Sequence, residues 1–274
     1  MPLRSTFELP SGTIAALDNG LVDSAETVLL VPGYTGSKED FQPLLRPLAE
    51  AGLRAIAIDQ RGQYQSSWAR TEHGYRLAEL AEDLIGVAGR LRADARALHL
   101  VGHSFGGLVA RQAAVIRGEL FDDLVLMSSG PAAIGGSRRT TLEAGERVLA
   151  ESGMRGLWQL LEDRARADPR YVRTAPSLRA FLRERFLATD PIGLRVMGTT
   201  LREEPDRTAQ LAATGLDIMV LYGENDDAWP PAVQAEMAGR LGALEAVIEN
   251  AAHSPAVENP LATVRAMLKF WSAG

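Results

Sequence analysis

Residues 97–116 read ALHLVGHSFGGLVARQAAVI and contain the pattern Gly-x-Ser-x-Gly from Gly102 to Gly106. An apolar run comes before this pattern, and apolar residues at helical spacing follow it. A tight turn from a strand into a helix raises the central side chain above a sheet, and glycines leave room for such a turn. A helix-capping serine in an ordinary turn is the alternative. The flanking strand and helix favour Ser104 as a nucleophile at a sharp elbow.

Strand and helix patterns alternate on both sides of this elbow. Two short alternating segments around Pro10 predict an opening hairpin, and later continuous apolar runs predict strands buried on both faces. Parallel strands need helical crossovers, so the rhythm predicts an α/β fold with about eight strands in a mostly parallel sheet, flanked by helices. The predicted strands are 6–9, 13–17, 27–31, 54–58, 97–101, 124–127, 217–222 and 244–248, and the predicted helices between them are 39–49, 77–91, 108–116, 233–241 and 261–271.

The alternation stops after the sixth strand and resumes only at residue 217. The intervening block is rich in Arg, Leu, Glu and Ala, and helical spacing occurs at 142–151, 157–165, 178–187 and 192–201. We therefore expect a core domain of residues 1–131 and 214–274 with a helical lid inserted at 132–213. Trp158, Phe181, Phe186 and Met197 are candidate pocket residues of this lid, although such residues more often serve packing.

A serine nucleophile needs a base, and the chain has only four histidines. His103 adjoins Ser104 on the same turn, and His99 lies inside the predicted strand. His73 precedes the elbow, whereas proteins with this elbow place the acid and then the histidine after the serine. His253 follows the last predicted strand, and we expect it to be the base.

The acid that orients the histidine is expected after a late strand. Asp226 and Asp227 follow the strand at 217–222, whereas the turn after the sixth strand offers no carboxylate. A buried aspartate beside the imidazole fixes its tautomer and stabilises the imidazolium. Chemistry alone does not choose between these two aspartates.

Backbone amides are the expected donors for the oxyanion of a tetrahedral intermediate. One is the N–H of Phe105, directly after the nucleophile, and the other is the N–H of Tyr34 in the loop after the third strand. That loop begins with Pro32-Gly33, which is also a common turn signal.

With these pieces assembled, the chain resembles the α/β-hydrolase superfamily, and most closely its lid-bearing carboxylesterases and monoglyceride lipases. Residues 28–41, VLLVPGYTGSKEDF, resemble the strand and oxyanion loop, with Pro32 where His is usual. Residues 58–66 resemble the supporting Asp-x-Arg-Gly stretch, with Tyr64 in place of a glycine. The segments 223–226 and 253–260 resemble the acid and histidine loops, and the resemblance selects Asp226 as the acid.

The resemblance implies hydrolysis of a carboxylic ester, or less readily a thioester, through an acyl-enzyme. Proline iminopeptidase, carbon–carbon bond hydrolase and cofactor-free perhydrolase chemistry use the same triad, and a non-catalytic small-molecule receptor is an alternative of another class. Haloalkane dehalogenases and epoxide hydrolases are disfavoured, because these relatives carry an aspartate where this chain has Ser104. Arg164, Arg173 and Arg195 are candidates to bind a substrate carboxylate.

Composition limits the class of protein, its partners and its location in the cell. The 274 residues are 46% hydrophobic and 23% charged, which is typical of a globular chain. A net charge of -6 argues against a nucleic-acid partner or an anionic membrane surface, and we expect a small ester-like substrate instead. There are no cysteines, the first residues lack the apolar run of a signal peptide, and no apolar run is long enough for a membrane helix, so a cytoplasmic location is expected. The expected chemistry needs neither a metal nor a cofactor.

Overall fold

The computed structural model describes residues 2–167, 171 and 173–272. Its centre is one eight-stranded sheet in the order β1-β2-β4-β3-β5-β6-β7-β8. The strands are β1 (Leu3–Leu9), β2 (Gly12–Asp18), β3 (Glu26–Val31), β4 (Arg54–Ile58), β5 (Ala97–His103), β6 (Asp123–Met127), β7 (Asp217–Gly223) and β8 (Leu244–Ile248).

The sheet is mostly parallel, as the sequence predicts. β1 and β2 form the expected opening hairpin, and β2 pairs antiparallel with β4. The other neighbouring strands pair in parallel, and β5 lies between β3 and β6. The sheet therefore places the ends of β3, β5, β6 and β7 along one edge, where the candidate residues follow.

The helices cover both faces of the sheet. Their bounds are α1 (Gln42–Glu50), α2 (Leu77–Arg92), α3 (Phe105–Arg117), α4 (Gly136–Ala165), α5 (Pro176–Leu187), α6 (Pro191–Glu203), α7 (Thr208–Ala212), α8 (Pro231–Leu241), α9 (Pro255–Glu258) and α10 (Pro260–Trp271). Alternate side chains of the central strands enter two separate hydrophobic clusters, one on each face. This two-sided burial explains why the strand sequences are continuous apolar runs rather than alternating ones.

The segment between β6 and β7 is helical, in agreement with the expected lid. The helices predicted at 142–151 and 157–165 are halves of α4, which bends at Gly153, where φ is 64° and ψ is -168°. Those predicted at 178–187 and 192–201 are α5 and α6, each slightly longer than expected. The short α7 packs against α3 and α8. The lid boundaries 132–213 stay a prediction.

A buried arginine joins the start of this segment to the end of α6. Arg111, on α3, donates to the carbonyl of Pro131 (2.6 Å) and forms an ion pair with Glu204 (3.0 Å). Pro131 lies where the chain leaves the sheet, and Glu204 lies directly after α6. A buried charge is tolerated only with such partners, so this contact fixes how the insertion is attached to the sheet.

None of the helices described is both long and apolar enough to cross a membrane.

Candidate active site

The elbow between β5 and α3 has strained geometry. Ser104 adopts φ 53° and ψ -120°, in a region that L residues rarely occupy. A Cβ atom at Gly102 would lie 2.5 Å from the carbonyl oxygen of Gly106, so only glycine fits this turn. The packing of β5 against α3 therefore holds the Ser104 side chain above the sheet edge, as the Gly-x-Ser-x-Gly pattern predicts.

The structure brings the three predicted side chains together from distant parts of the chain. The Nε2 atom of His253 lies 2.9 Å from the Oγ atom of Ser104, and its Nδ1 atom lies 2.9 Å from the Oδ1 atom of Asp226. His253 stands in the loop between β8 and α9, and Asp226 stands in the loop after β7. A serine, an imidazole and a carboxylate in this order allow a proton to pass from the hydroxyl to the imidazole.

Asp226 is only 4% exposed, and both oxygens of its carboxylate form hydrogen bonds. Oδ1 also accepts from the amide of Ala228 (3.0 Å), and Oδ2 accepts from the side chain of Gln234 (3.0 Å). Burial alone would raise the pKa of Asp226, but the hydrogen bonds and charge of His253 outweigh it and hold the pKa below its usual value. The carboxylate is therefore ionised at neutral pH.

Asp227 occupies a different environment. It forms a two-bonded ion pair with Arg138 of α4, at 2.7 and 2.9 Å, and its side chain is 55% exposed. The pair connects the lid segment to the loop that carries Asp226. The geometry thus separates two neighbouring aspartates that sequence chemistry alone leaves equivalent.

The two amides expected to bind an oxyanion are free in the part of the chain that the structure describes. Neither the N–H of Tyr34 nor that of Phe105 donates to a described acceptor. Phe105 is the first residue of α3, so its amide has no acceptor within the helix. Tyr34 and Ser104 both line the cavity in front of the elbow.

Two glutamines to which the sequence analysis gave no individual role brace the Tyr34 loop. The side chain of Gln60 donates to the carbonyl of Pro32 (2.8 Å), and that of Gln63 donates to the carbonyl of Gly33 (2.7 Å). Both glutamines lie in the stretch after β4 that the sequence indicates as support for the site. Their side-chain amides hold the loop through its carbonyl oxygens, whereas Pro32 has no side chain that could form a hydrogen bond.

Replacing Gln63 with Met should lower kcat by roughly 10- to 100-fold while changing KM little. The carbonyl of Gly33 would lose its donor, and the loop that presents the Tyr34 amide would relax. Steady-state kinetics on any ester that the protein turns over would measure this effect. Gln65→Met is the matched control, because Gln65 is exposed and the hydrogen bond from Arg4 is the only one that its side chain forms with the described residues. Equal kcat for the wild type and Gln63→Met would show that the brace is unimportant.

His103 is a further neighbour of the site. Its Nε2 atom lies 2.7 Å from the carbonyl oxygen of His253, so a neutral ring protonated at Nε2 donates to the histidine loop. Burial, assisted by the charge of His253, lowers the pKa of His103 from 6.5 to about 4. His103 is therefore a neutral positioning group at neutral pH.

This lowered pKa predicts a pH-dependent stability. Between about pH 6.5 and pH 4 the unfolded chain binds a proton at residue 103 more readily than the folded protein does. The free energy of unfolding should therefore fall as pH drops through this window, by up to ~3 kcal/mol from this group, with no contribution above it. Urea unfolding at pH 7.5 and 4.5 would measure the loss. His103→Gln, which keeps a donor, should show a smaller loss, and an identical loss would contradict the assignment.

A cavity of about 940 Å³ opens in front of Ser104 and His253. Its walls come from the Tyr34 loop, the acid and histidine loops, and the faces of α4, α5 and α6. Phe186 lines it, whereas Trp158, Phe181 and Met197 do not, so those three are packing residues. Of the arginines considered for a substrate carboxylate, only Arg195 reaches the cavity; the apolar lining of the lid segment is Ile134, Leu142, Leu149, Leu157, Leu161, Phe186, Leu194 and Leu201.

Among the residues with described positions, no group of three or more His, Asp or Glu side chains is arranged to hold a metal ion. The cavity brings together a hydroxyl, an imidazole and a carboxylate, with two amides that have no described acceptor; such an arrangement is suited to acyl transfer.

Comparison with known proteins bears on the fold and on the family of this chain. A match of 107 residues is 42% identical to RutD of Variovorax paradoxus (strain S110), over 38% of each chain. The name of that relative ascribes carbamate hydrolysis to it. A match of 83 residues is 39% identical to epoxide hydrolase B of Mycobacterium tuberculosis, over 30% of this chain and 23% of that protein. The matches thus span less than half the length of these relatives.

A solved structure, a thermophilic esterase from Thermogutta terrifontis, superposes with a TM-score of 0.77 over 100% of this chain and 98% of its own, at 22% identity. That likeness shows the fold. A sequence profile of the alpha/beta hydrolase family matches residues 28–266, which is most of the chain. The chain therefore belongs to the alpha/beta hydrolase family.

Proposed function

We propose that this protein is a serine hydrolase that cleaves a carboxylic ester through an acyl-enzyme. The observation that carries the proposal is the unbroken chain from Ser104 through His253 to Asp226, with 2.9 Å at each step, at the wall of a large cavity. Ser104 is the nucleophile, His253 the general base and acid, and Asp226 the group that orients His253.

In the first half of the reaction, the Oγ atom of Ser104 attacks the substrate carbonyl carbon while its proton passes to Nε2 of His253. The carbonyl oxygen becomes an oxyanion that accepts hydrogen bonds from the amides of Tyr34 and Phe105. His253 then returns the proton to the leaving alkoxide, and the alcohol departs. The Ser104 ester remains.

In the second half, His253 removes a proton from water, and the resulting hydroxide attacks the Ser104 ester. Collapse of the second intermediate breaks the bond to Oγ, which regains its proton from His253. The products are one carboxylic acid and one alcohol. The cycle consumes one water molecule and needs no cofactor beyond the side chains and amides described above.

A carbamate is the second substrate class, because the RutD relative is named for it and because attack on a carbamate carbonyl uses the same groups. Epoxide hydrolysis is not proposed, although one relative bears that name. The serine at the elbow supports acyl chemistry, since epoxide-opening relatives use an aspartate there.

The experiment that tests the proposal is covalent trapping. A fluorophosphonate should attach to Ser104, and peptide mass spectrometry should locate the adduct on the peptide that contains this residue. Parallel assays with p-nitrophenyl esters and carbamates of increasing acyl length would separate the two substrate classes. Labelling at Ser104 with turnover of either class supports the proposal, whereas labelling elsewhere or none at all contradicts it; labelling without turnover of any compound would favour a receptor.

A further inference from the structure

Four arginines of the described chain line the cavity, and each is already paired with a carboxylate. The pairs are Arg138–Asp227, Arg185–Asp40, Arg195–Glu72 and Arg202–Glu146. Within the described ranges, no arginine of the cavity wall is left without an acidic partner. A substrate carboxylate would therefore meet a guanidinium whose charge a carboxylate of the protein already balances, and it would lie close to that second negative charge.

The Arg202–Glu146 pair differs from the other three in its surroundings. The Nη2 atom of Arg202 lies 2.7 Å from Oε2 of Glu146, and the two side chains are 16% and 36% exposed. Arg138 and Arg195 are more exposed. Arg185 is engaged structurally, because it also donates to Ser37.

Helix geometry explains why this pair faces the cavity. Glu146 lies four residues after Leu142 and three before Leu149 on α4, so the three share one helix face. Arg202 follows Leu201 near the end of α6. The pair is thus a polar island flanked by Leu142, Leu149 and Leu201 in the cavity wall.

The side chain of Tyr34 reaches the same island. A Cβ atom on Gly198 of α6 would lie only 2.9 Å from the Tyr34 hydroxyl, so the glycine makes the approach possible. Burial raises the pKa of Tyr34, while the nearby charges of Arg202 and Glu146 act on it in opposite directions. The hydroxyl is therefore neutral, and it lies on the residue whose amide is proposed to bind the oxyanion.

Three groups of the island have unused hydrogen-bonding capacity. The Tyr34 hydroxyl, the Nη1 atom of Arg202 and the Oε1 atom of Glu146 form no hydrogen bond with a described residue. Together they offer donors and acceptors but no net charge. Such a set complements a neutral group that both donates and accepts, such as a primary amide or a hydroxyl.

We propose that Glu146, Arg202 and Tyr34 form a specificity subsite for an uncharged, hydrogen-bonding substituent of the substrate, and that Glu146 excludes carboxylates by neutralising Arg202. This inference rests on the proposed ester hydrolysis at Ser104. The substrate class is then an ester that carries an amide or hydroxyl group at a distance from its reacting carbonyl, not a half-ester of a dicarboxylic acid.

The test uses isosteric esters that end in a primary amide, a carboxylate or an isopropyl group. In the first series, two to five methylenes separate the reacting carbonyl from the terminal group, so that one length reaches the Arg202–Glu146 pair. In a second series of acetate esters, the same terminal groups are placed on the alcohol part. The wild type should prefer the amide to the carboxylate by about tenfold or more in kcat/KM. Glu146→Gln leaves Arg202 unpaired and should reduce this preference by about tenfold.

Glu143→Gln is the matched control, because Glu143 lies on the same helix and pairs with the exposed Arg139 without lining the cavity. It should leave the preference unchanged. Arg202→Gln is the second variant: it leaves Glu146 unpaired and should favour esters that end in an ammonium group. If Glu146→Gln does not fold, the wild type and Arg202→Gln still decide the question.

Fluorophosphonates that end in an amide or a carboxylate measure the same preference without turnover. The quantity compared is the rate at which each of them labels Ser104. Equal rates for the two terminal groups in the wild type, or an unchanged ratio in folded Glu146→Gln, would overturn the subsite while ester hydrolysis stands. Failure of every probe to label Ser104, with no hydrolysis of any ester, would instead contradict the proposed function.

Discussion

Ser104→Ala should lower kcat/KM for ester hydrolysis by roughly 10⁴- to 10⁶-fold. The loss is large because no other group in the described site takes the place of the hydroxyl that lies 2.9 Å from His253. Alanine keeps the Cβ atom and the strained elbow, so the fold and the cavity should remain intact. The residual rate would come from binding and from the amides of Tyr34 and Phe105.

Initial rates with a p-nitrophenyl ester, together with circular dichroism, would measure this effect. Ser254→Ala is the matched control, since Ser254 lines the same cavity beside His253 but does not contact Ser104 through a hydrogen bond. The control should keep activity within a fewfold of wild type. A folded Ser104→Ala protein with wild-type activity would disprove the acyl-enzyme mechanism.

The sheet could be predicted from sequence because its physical signal is strong. β3, β4 and β6 are buried on both faces, and this leaves continuous apolar runs that no amphipathic surface element would carry. The bounds of individual helices were harder to predict. The bend at Gly153 depends on a positive φ inside α4, which apolar spacing does not reveal, and α3 begins earlier than its apolar pattern because the elbow itself starts the helix.

The candidate triad was predictable because its members follow strands at one edge of the sheet. The supporting groups were not, since they depend on contacts between remote segments. Gln63 reaches the Gly33 carbonyl across 30 positions of sequence, and Arg202 meets Glu146 across the lid segment. Only the resemblance of residues 58–66 to a supporting stretch indicated that Gln63 could matter, and nothing in the charge pattern separated Arg202 from the solvent-exposed arginines of the lid.

Asp226→Asn should lower kcat by about 10⁴-fold with little change in the fold. The carboxylate lies 2.9 Å from Nδ1 of His253, and it is held ionised by that contact and by Ala228 and Gln234. An amide of the same shape carries no charge, so it no longer stabilises the imidazolium. Its NH₂ group can also donate to Nδ1, which places the His253 proton on the nitrogen that must accept one from Ser104.

The neighbouring Asp227→Asn is the control that makes this prediction specific. Asp227 carries the same side chain one residue away, but it faces Arg138 and is half-exposed, so its loss removes a surface ion pair worth at most about 1 kcal/mol. Kinetics of both variants on one ester, with their urea unfolding curves, separate catalysis from stability. A large loss for Asp226→Asn with a small one for Asp227→Asn fits an acid that works by charge and orientation at His253. The reverse pattern would move the acid to Asp227 and would require the loop after β7 to rearrange when substrate binds.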